Sequence, residues 1–338
     1  MPLCGGLIKT EAFKAFRDFF DIISPIYKFQ DYFIGGMKMS MGIIPPIKLA
    51  IIGMGRMGKY HYQLLKNMES VEIVALCDTM LNEKFSHPTY TNIDKMLSSV
   101  DIEVAIIAVP TSLHKEVALK CIKRQIHLFI EKPIASTIED AQTLLYHSHQ
   151  ENIKVVVGYI ERFNPVVQRL RDILKSSQIY SIQITRVSPF PSRVFDVGVL
   201  IDLSVHDIDL LTFISRKKIM YKKIFTSKNQ NKNYEDMALL AFQLEGGMIA
   251  SITNSWLSPM AKRVLSVTSD CGYYEADLMT QELIKFKDNE KEKLCCIEKI
   301  NPLYHELIAF IDYIKTGENK ICATIEESIN TLNVISSK

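Results

Sequence analysis

The chain lacks an excess charge of either sign. Lys plus Arg number 40 against 38 Asp plus Glu, a formal net charge of +2 over 338 residues. That balance leaves no electrostatic footprint for nucleic acid or an anionic membrane. It also lacks paired cysteines. The seven present are an odd number, sit mostly in apolar segments such as "VALCD", and form no C-x-x-C pair, which excludes a disulfide framework and a zinc site. A reducing cytoplasm is the expected compartment, and no metal is expected. What the chain does have is length and apolar content: 47% hydrophobic and 23% charged residues mark a globular protein, and its length predicts two domains.

Residues 1–46 read as an extension outside both domains. In "EAFKAFRDFFDIISPIYKFQDYF" the residues Phe13, Phe16 and Phe20 fall at helical spacing, but Glu11, Lys14, Arg17, Asp18 and Asp21 interrupt the apolar face. The segment is therefore neither a secretory core nor a membrane span. An interfacial or partner-docking helix is one reading. A non-essential extension, or an upstream start ahead of Met37, Met39 or Met41, is preferred.

From Lys48 the pattern becomes regular. "KLAIIG", "VEIVALCD", "VAIIAVP" and "IHLFIEKP" are short, continuous apolar runs that predict buried parallel strands, with helices at about 57–68, 93–98, 112–125 and 137–151 between them. Alternating strand and helix predicts a doubly wound α/β domain over residues 47–158. Gly53, Gly55 and Gly58 form G-x-G-x-x-G where the first strand should turn into the first helix, the arrangement that holds a dinucleotide pyrophosphate against a helix N-terminus. Arg56 and Met57 lie inside that turn. Asp78 ends the second strand twenty residues after Gly58 and is suited to the ribose hydroxyls; its charge and the absence of a nearby arginine favour NAD over NADP.

Ligands of such sheets lie at the carboxyl ends of the strands. Pro110, Thr111 and His114 follow one strand there, and Glu131, Lys132 and Pro133 follow the next. The Glu-Lys-Pro stretch is either a functional lysine or a polar turn on spacing alone. Beyond Gly158 the segments become one-faced and β-branched, with Gly246-Gly247 as a hairpin turn, and predict an antiparallel sheet with few helices. Within "GVLIDLSVHDIDLL" a single helix places Asp202 and His206 on one face, with Asp209 a further neighbour of the imidazole. An aspartate there would stabilise the protonated ring; a surface Asp-His pair is the alternative.

"IIGMGRMGKYH", Asp78, "AVPTSLH", "EKP", "VGYIERFNP" and "GVLIDLSVHDIDLL" together resemble the Gfo/Idh/MocA family, in an order that spans about residues 47–338. The resemblance implies a Rossmann domain followed by an α+β domain at 159–338, a large open and mainly antiparallel sheet, and a homo-oligomer, dimer or tetramer. It implies Lys132, Asp202 and His206 as the catalytic set, NAD as cofactor, and a sugar or nucleotide sugar as the substrate. "VGYIERFNP" resembles members that oxidise the 3-hydroxyl of UDP-N-acetylglucosamine. That likeness points to Tyr159, Arg162 and Asn164 at the substrate, with Arg162 contacting a diphosphate and Arg186 and Arg193 as helpers. Dehydrogenation of a free sugar or inositol, and a catalytically silent NAD-binding regulator, are the alternatives.

Overall fold

The computed structural model describes residues 33–34, 37–38, 45–81, 83–191, 197–295 and 299–336. Nearly all of the aromatic extension, and Arg193, lie outside the described residues; a two-residue antiparallel ladder pairs Phe33–Ile34 with Met37–Lys38. The first long apolar run forms β1 (Ile47–Ile52), in which all but one residue is buried. A strand apolar on both faces needs cover on both, and the sequence supplies it by alternating strands with helices. The order runs α1 (Arg56–Leu65), β2 (Val71–Cys77), β3 (Thr89–Tyr90), α2 (Ile93–Ser99), β4 (Val104–Ile107), α3 (His114–Ile122), β5 (His127–Glu131), α4 (Ile138–Gln150) and β6 (Val155–Gly158).

These six strands pair in parallel in the spatial order β3-β2-β1-β4-β5-β6. The strand order reverses between β1 and β4, and a crevice for a ligand opens there at the carboxyl ends. Ala50, Ile52, Ala105 and Ile107 pack on one side of the sheet, and Leu49, Ile51, Val104 and Ile106 on the other.

The second domain begins with a 3-10 turn, Ile160–Phe163, and α5 (Pro165–Ile173), followed by β7 (Ile179–Val187). The stretch expected as a single helix is two elements, a π-helical turn at Leu200–Ser204 and then α6 (Val205–Ser215). Seven further strands follow: β8 (Ile219–Ser227), β9 (Met237–Leu244), β10 (Ile249–Ser255), β11 (Lys262–Ser269), β12 (Gly272–Asp277), β13 (Glu282–Lys287) and β14 (Glu290–Cys295).

They form an eight-stranded sheet in the order β8-β9-β10-β7-β11-β12-β13-β14, antiparallel except for the β10–β7 pair. One face packs against α5 and α6 through Val167, Leu170, Leu211 and Ile214. The alternation in β9, where Ala238, Leu240, Phe242 and Leu244 are buried and Met237, Leu239, Ala241 and Gln243 are exposed, leaves the other face open.

The chain then returns. In α7 (Pro302–Thr316) Leu303, Leu307, Phe310 and Ile311 join the Rossmann core beside Phe129 and Val156, and in α8 (Ile325–Ser336) Ile325, Ile329 and Leu332 join its other side. Val157 donates its backbone N–H to Ala323. Sequence order places both helices in residues 159–338 and allows the last to pack back on the first domain; the apolar faces of both complete that domain.

Candidate active site

The turn after β1 is built by exclusion. Gly53 has φ +94°, and a Cβ there would lie 2.5 Å from the Ala108 carbonyl carbon; one on Gly58 would lie 1.8 Å from the Gly53 oxygen. Only glycine lets β1, β4 and α1 approach so closely. At Gly55 a Cβ would meet nothing within 4 Å, so the backbone faces open space where α1 presents its unpaired N–H groups. Asp78 accepts from the backbone N–H of Met54 at 2.6 Å and of Met80 at 2.9 Å. Its carboxylate is thereby fixed beside the glycine turn, with lone pairs left for ribose hydroxyls. The donor set and the cleared backbone fit a dinucleotide.

Next to this turn lies a cavity of about 790 Å³ between the two domains. From the first domain Arg56, Met57, Pro110, Thr111, Glu131 and Lys132 line it; from the second come Arg186, Asp202, His206 and Arg263. Gly53, Gly55, Gly58 and Asp78 form the adjoining turn rather than this wall.

Lys132 is joined to Pro133 by a cis peptide bond. Its ammonium donates to the Asp202 backbone oxygen at 2.9 Å and to Asp202 Oδ1 at 3.2 Å. An ammonium has three donors, so one remains for a ligand. His114 also lines the cavity but is 1% exposed, with Nδ1 3.0 Å from the Pro133 oxygen and Nε2 2.9 Å from the Val109 oxygen. Burial lowers its pKa. It ties together the two loops that follow β4 and β5.

The expected Asp-His pair is not formed. Asp202 lies in the π turn and faces Lys132, while Asp209 is bound to Arg162, so neither carboxylate stabilises an imidazolium. His206 is half-buried, its Nδ1 enclosed with no partner among the described residues. Burial, then the charges of Lys132, Arg186 and Arg263, pushes its pKa well below the ordinary 6.5. The ring is therefore a neutral base at physiological pH.

The three expected substrate residues are all turned away from the cavity. Arg162 is 2% exposed: Nε and Nη2 donate to Asp209 at 2.9 and 2.6 Å, Nη1 donates to Glu327 at 3.0 Å, and the guanidinium stacks 4.7 Å from the Phe213 ring centroid. With its fork filled, no diphosphate contact is open to it. Asn164 caps α5, accepting from Val166 and donating to the Leu278 oxygen. The Tyr159 hydroxyl meets Ser328 at 3.2 Å, and its ring stands edge-on to His206, with the ring centroids 6.2 Å apart. All three position the wall without lining it.

Two residues outside the sequence expectations belong to this region. His61, fully buried on α1, has Nε2 2.7 Å from Glu131 Oε1, and so ties the pyrophosphate-binding helix to the residue before Lys132. Its place eight residues after Gly53 was the only local signal. Glu306 of α7 lines the cavity at 2% exposure.

Burial, then the charges of Glu131 and Asp209, raises the Glu306 pKa well above 4.5, and Arg162 offsets only part of this. Native Glu306 thus keeps a proton that the unfolded chain releases as pH rises above 4.5, and stability falls over that range. Glu306→Gln removes the dependence: its thermal midpoint should exceed that of the wild type at pH 8, with the gap closing near pH 5.

The comparisons with known proteins agree with this architecture. Residues 47–159 match the family described as "Oxidoreductase family, NAD-binding Rossmann fold", and residues 170–275 match the "GFO/IDH/MocA C-terminal domain". Among relatives, UDP-N-acetylglucosamine 3-dehydrogenase of Acidithiobacillus ferrooxidans is 25% identical over 246 residues, covering 70% of this chain and 76% of that protein. Myo-inositol 2-dehydrogenase of Thermotoga maritima is 20% identical over 300 residues, covering 80% and 89%.

Among solved structures, the Acidithiobacillus ferrooxidans UDP-N-acetylglucosamine 3-dehydrogenase superposes with a TM-score of 0.79 at 21% identity, over 85% of this chain and 94% of that one. GenD2 from gentamicin A biosynthesis, in complex with NAD, gives 0.75 at 17% identity, over 88% and 94%. The chain belongs to the Gfo/Idh/MocA family of NAD-dependent oxidoreductases.

Proposed function

We propose that the protein oxidises a secondary hydroxyl of a nucleotide sugar, with the 3-hydroxyl of UDP-N-acetylglucosamine as the substrate group. The observation that carries this reading is the shared cavity wall. A lysine with a spare donor and a histidine kept neutral by burial and then by cations line one cavity at the carboxyl end of the parallel sheet. His206, with Nδ1 enclosed, takes the hydroxyl proton at Nε2. Lys132 donates to the same oxygen, lowering the cost of negative charge there as the proton leaves. Asp202 positions Lys132 and does not touch the ring.

Gly53, Gly55, Gly58 and Asp78 would hold the pyrophosphate and ribose of NAD, and Pro110 and Thr111 line the adjoining cavity. The chemistry that bound NAD would supply there is that of a hydride acceptor for the substrate carbon. Half-burial of His206 and Lys132 keeps bulk water from competing for the oxygen.

The named activity of the Acidithiobacillus relative supports the substrate. The broader coverage of the inositol dehydrogenases supports a second reading, oxidation of a cyclitol. Mixing the protein with NAD and either UDP-N-acetylglucosamine or myo-inositol separates them through the absorbance of the reduced nicotinamide. Turnover with the nucleotide sugar alone is expected, falling about 100-fold or more in Lys132→Ala and in His206→Ala, in line with the loss of a positioned acid–base group. Turnover with inositol alone rejects the nucleotide sugar.

The same reading includes a homo-oligomer formed through the open sheet face, where Tyr221, Phe225, Leu239 and Ile249 stand exposed on one side of β8, β9 and β10. Sedimentation equilibrium should return a multiple of 38.6 kDa, and Leu239→Lys should shift it toward the monomer.

A further inference from the structure

The cavity contains two arginines on neighbouring strands, Arg186 of β7 and Arg263 of β11, paired directly in the register. They are in different states. Arg186 is 4% exposed and paired with two carboxylates: Nε donates to both Asp207 oxygens at 2.9 and 3.1 Å, Nη1 donates to Glu161 Oε1 at 3.1 Å, and Nη2 lies 2.7 Å from Asp207 Oδ1 without a hydrogen bond among the described residues. Asp207 is held in turn by Asn254 Nδ2 at 2.6 Å. Burial works against the Arg186 charge, but Asp207 and Glu161 outweigh it and hold the guanidinium above its ordinary value. Its remaining N–H groups are enclosed rather than presented to a ligand.

Arg263 differs in both exposure and saturation. Its side chain is 48% exposed, and Nη1 donates at 3.1 Å to the same Glu161 oxygen that Arg186 already occupies. A guanidinium has five N–H donors, and among the described residues the others of Arg263 have no acceptor. One buried carboxylate oxygen thus serves two cations. Counted together, Arg186, Arg263, Glu161 and Asp207 are neutral, but the negative charge is concentrated around Arg186 and the positive end faces the cavity. Arg263 also acts on the buried His206 ring, so it stands within electrostatic reach of the reacting centre.

We infer that Arg263 is the specificity-determining residue of the site, receiving the diphosphate of the substrate through its unpaired donors while Glu161 and Arg186 fix its base. The inference rests on the nucleotide-sugar reading. A planar fork of free N–H groups fits phosphate oxygens, and the placement of Arg263 and His206 in the lining of one cavity suits a phosphate attached to the sugar being oxidised. The cofactor pyrophosphate has its own place at Gly55 and the α1 N-terminus, on the other domain. A neutral cyclitol offers nothing to this cation. The same cavity without Arg263 would suit it equally well.

The test measures binding of UDP to NAD-saturated protein, so that the cofactor's own phosphate site is filled. Arg263→Gln should weaken UDP about 10–100-fold, the usual worth of a charge-assisted contact, with Arg263→Lys intermediate and the wild-type affinity falling as salt rises. NAD affinity and thermal midpoint should not change in either variant. Equal UDP affinity in wild type and Arg263→Gln, no UDP binding by wild type, or a parallel loss of NAD binding would each overturn the assignment. Turnover of UDP-N-acetylglucosamine is read separately. If UDP binds through Arg263 but its sugar is not oxidised, the proposed reaction fails while the anion contact stands.

Discussion

The contact of the Lys132 ammonium with Asp202 joins the two domains at the point where the chemistry is proposed to occur. It is a long-range bond between the end of β5 and the π turn before α6, and the rest of the site is arranged around it. The Glu-Lys-Pro turn is braced from below by His61 through Glu131 and from the side by His114 through Pro133. The π turn is braced by Ser204, which donates to Asn254 at 2.5 Å. An ammonium held by two oxygens is fixed in direction, with one donor left over.

Electrostatic separation explains why two titratable groups in one cavity differ so much. His206 is buried and acted on by cations, which favours the uncharged ring. Glu306 has carboxylates near it and little water, which favours the uncharged acid. The carboxylates able to reverse this pattern are engaged: Asp209 by Arg162, Asp207 by Arg186, Asp202 by Lys132. The buried ion pairs therefore set protonation states as well as holding the second domain together. Removing one partner of such a pair typically costs about 3–5 kcal/mol because the other charge is stranded.

Much of the first domain could be read from the sequence because its determinants are local. Continuous apolar runs, a glycine turn and a strand-ending aspartate each act within a few residues of themselves, and β1, β2, β4 and β5 lie where those signals fall. The short β3, and β6 with its run of valines, carried weaker signals. In the second domain β8 and β14 escaped notice because lysines interrupt them and neither shows a clean apolar face.

The site was legible where a residue's role is set by its strand end, and at Asp202 and His206 of the GVLIDLSVHDIDLL motif. Lys132, Pro110 and Thr111 follow strands and line the cavity. Arg162 and Asn164 looked like ligand groups because they are polar and lie in a motif, yet their partners, Asp209, Glu327 and Leu278, come from elsewhere in the fold. Arg263 and Glu306 are the converse case. Nothing beside them in the chain marks them, and only the β7–β11 pairing and the return of α7 bring them to the cavity.

The central claim is that His206 is a neutral base because burial, and then the charges of Lys132, Arg186 and Arg263, disfavour the protonated ring. An NMR pH titration of the His206 imidazole, in wild type and in Lys132→Met, tests it most directly. The account predicts a midpoint below 6.5 in the wild type that moves upward when the lysine charge is removed. A wild-type midpoint at or above 6.5, or one indifferent to Lys132, would contradict it.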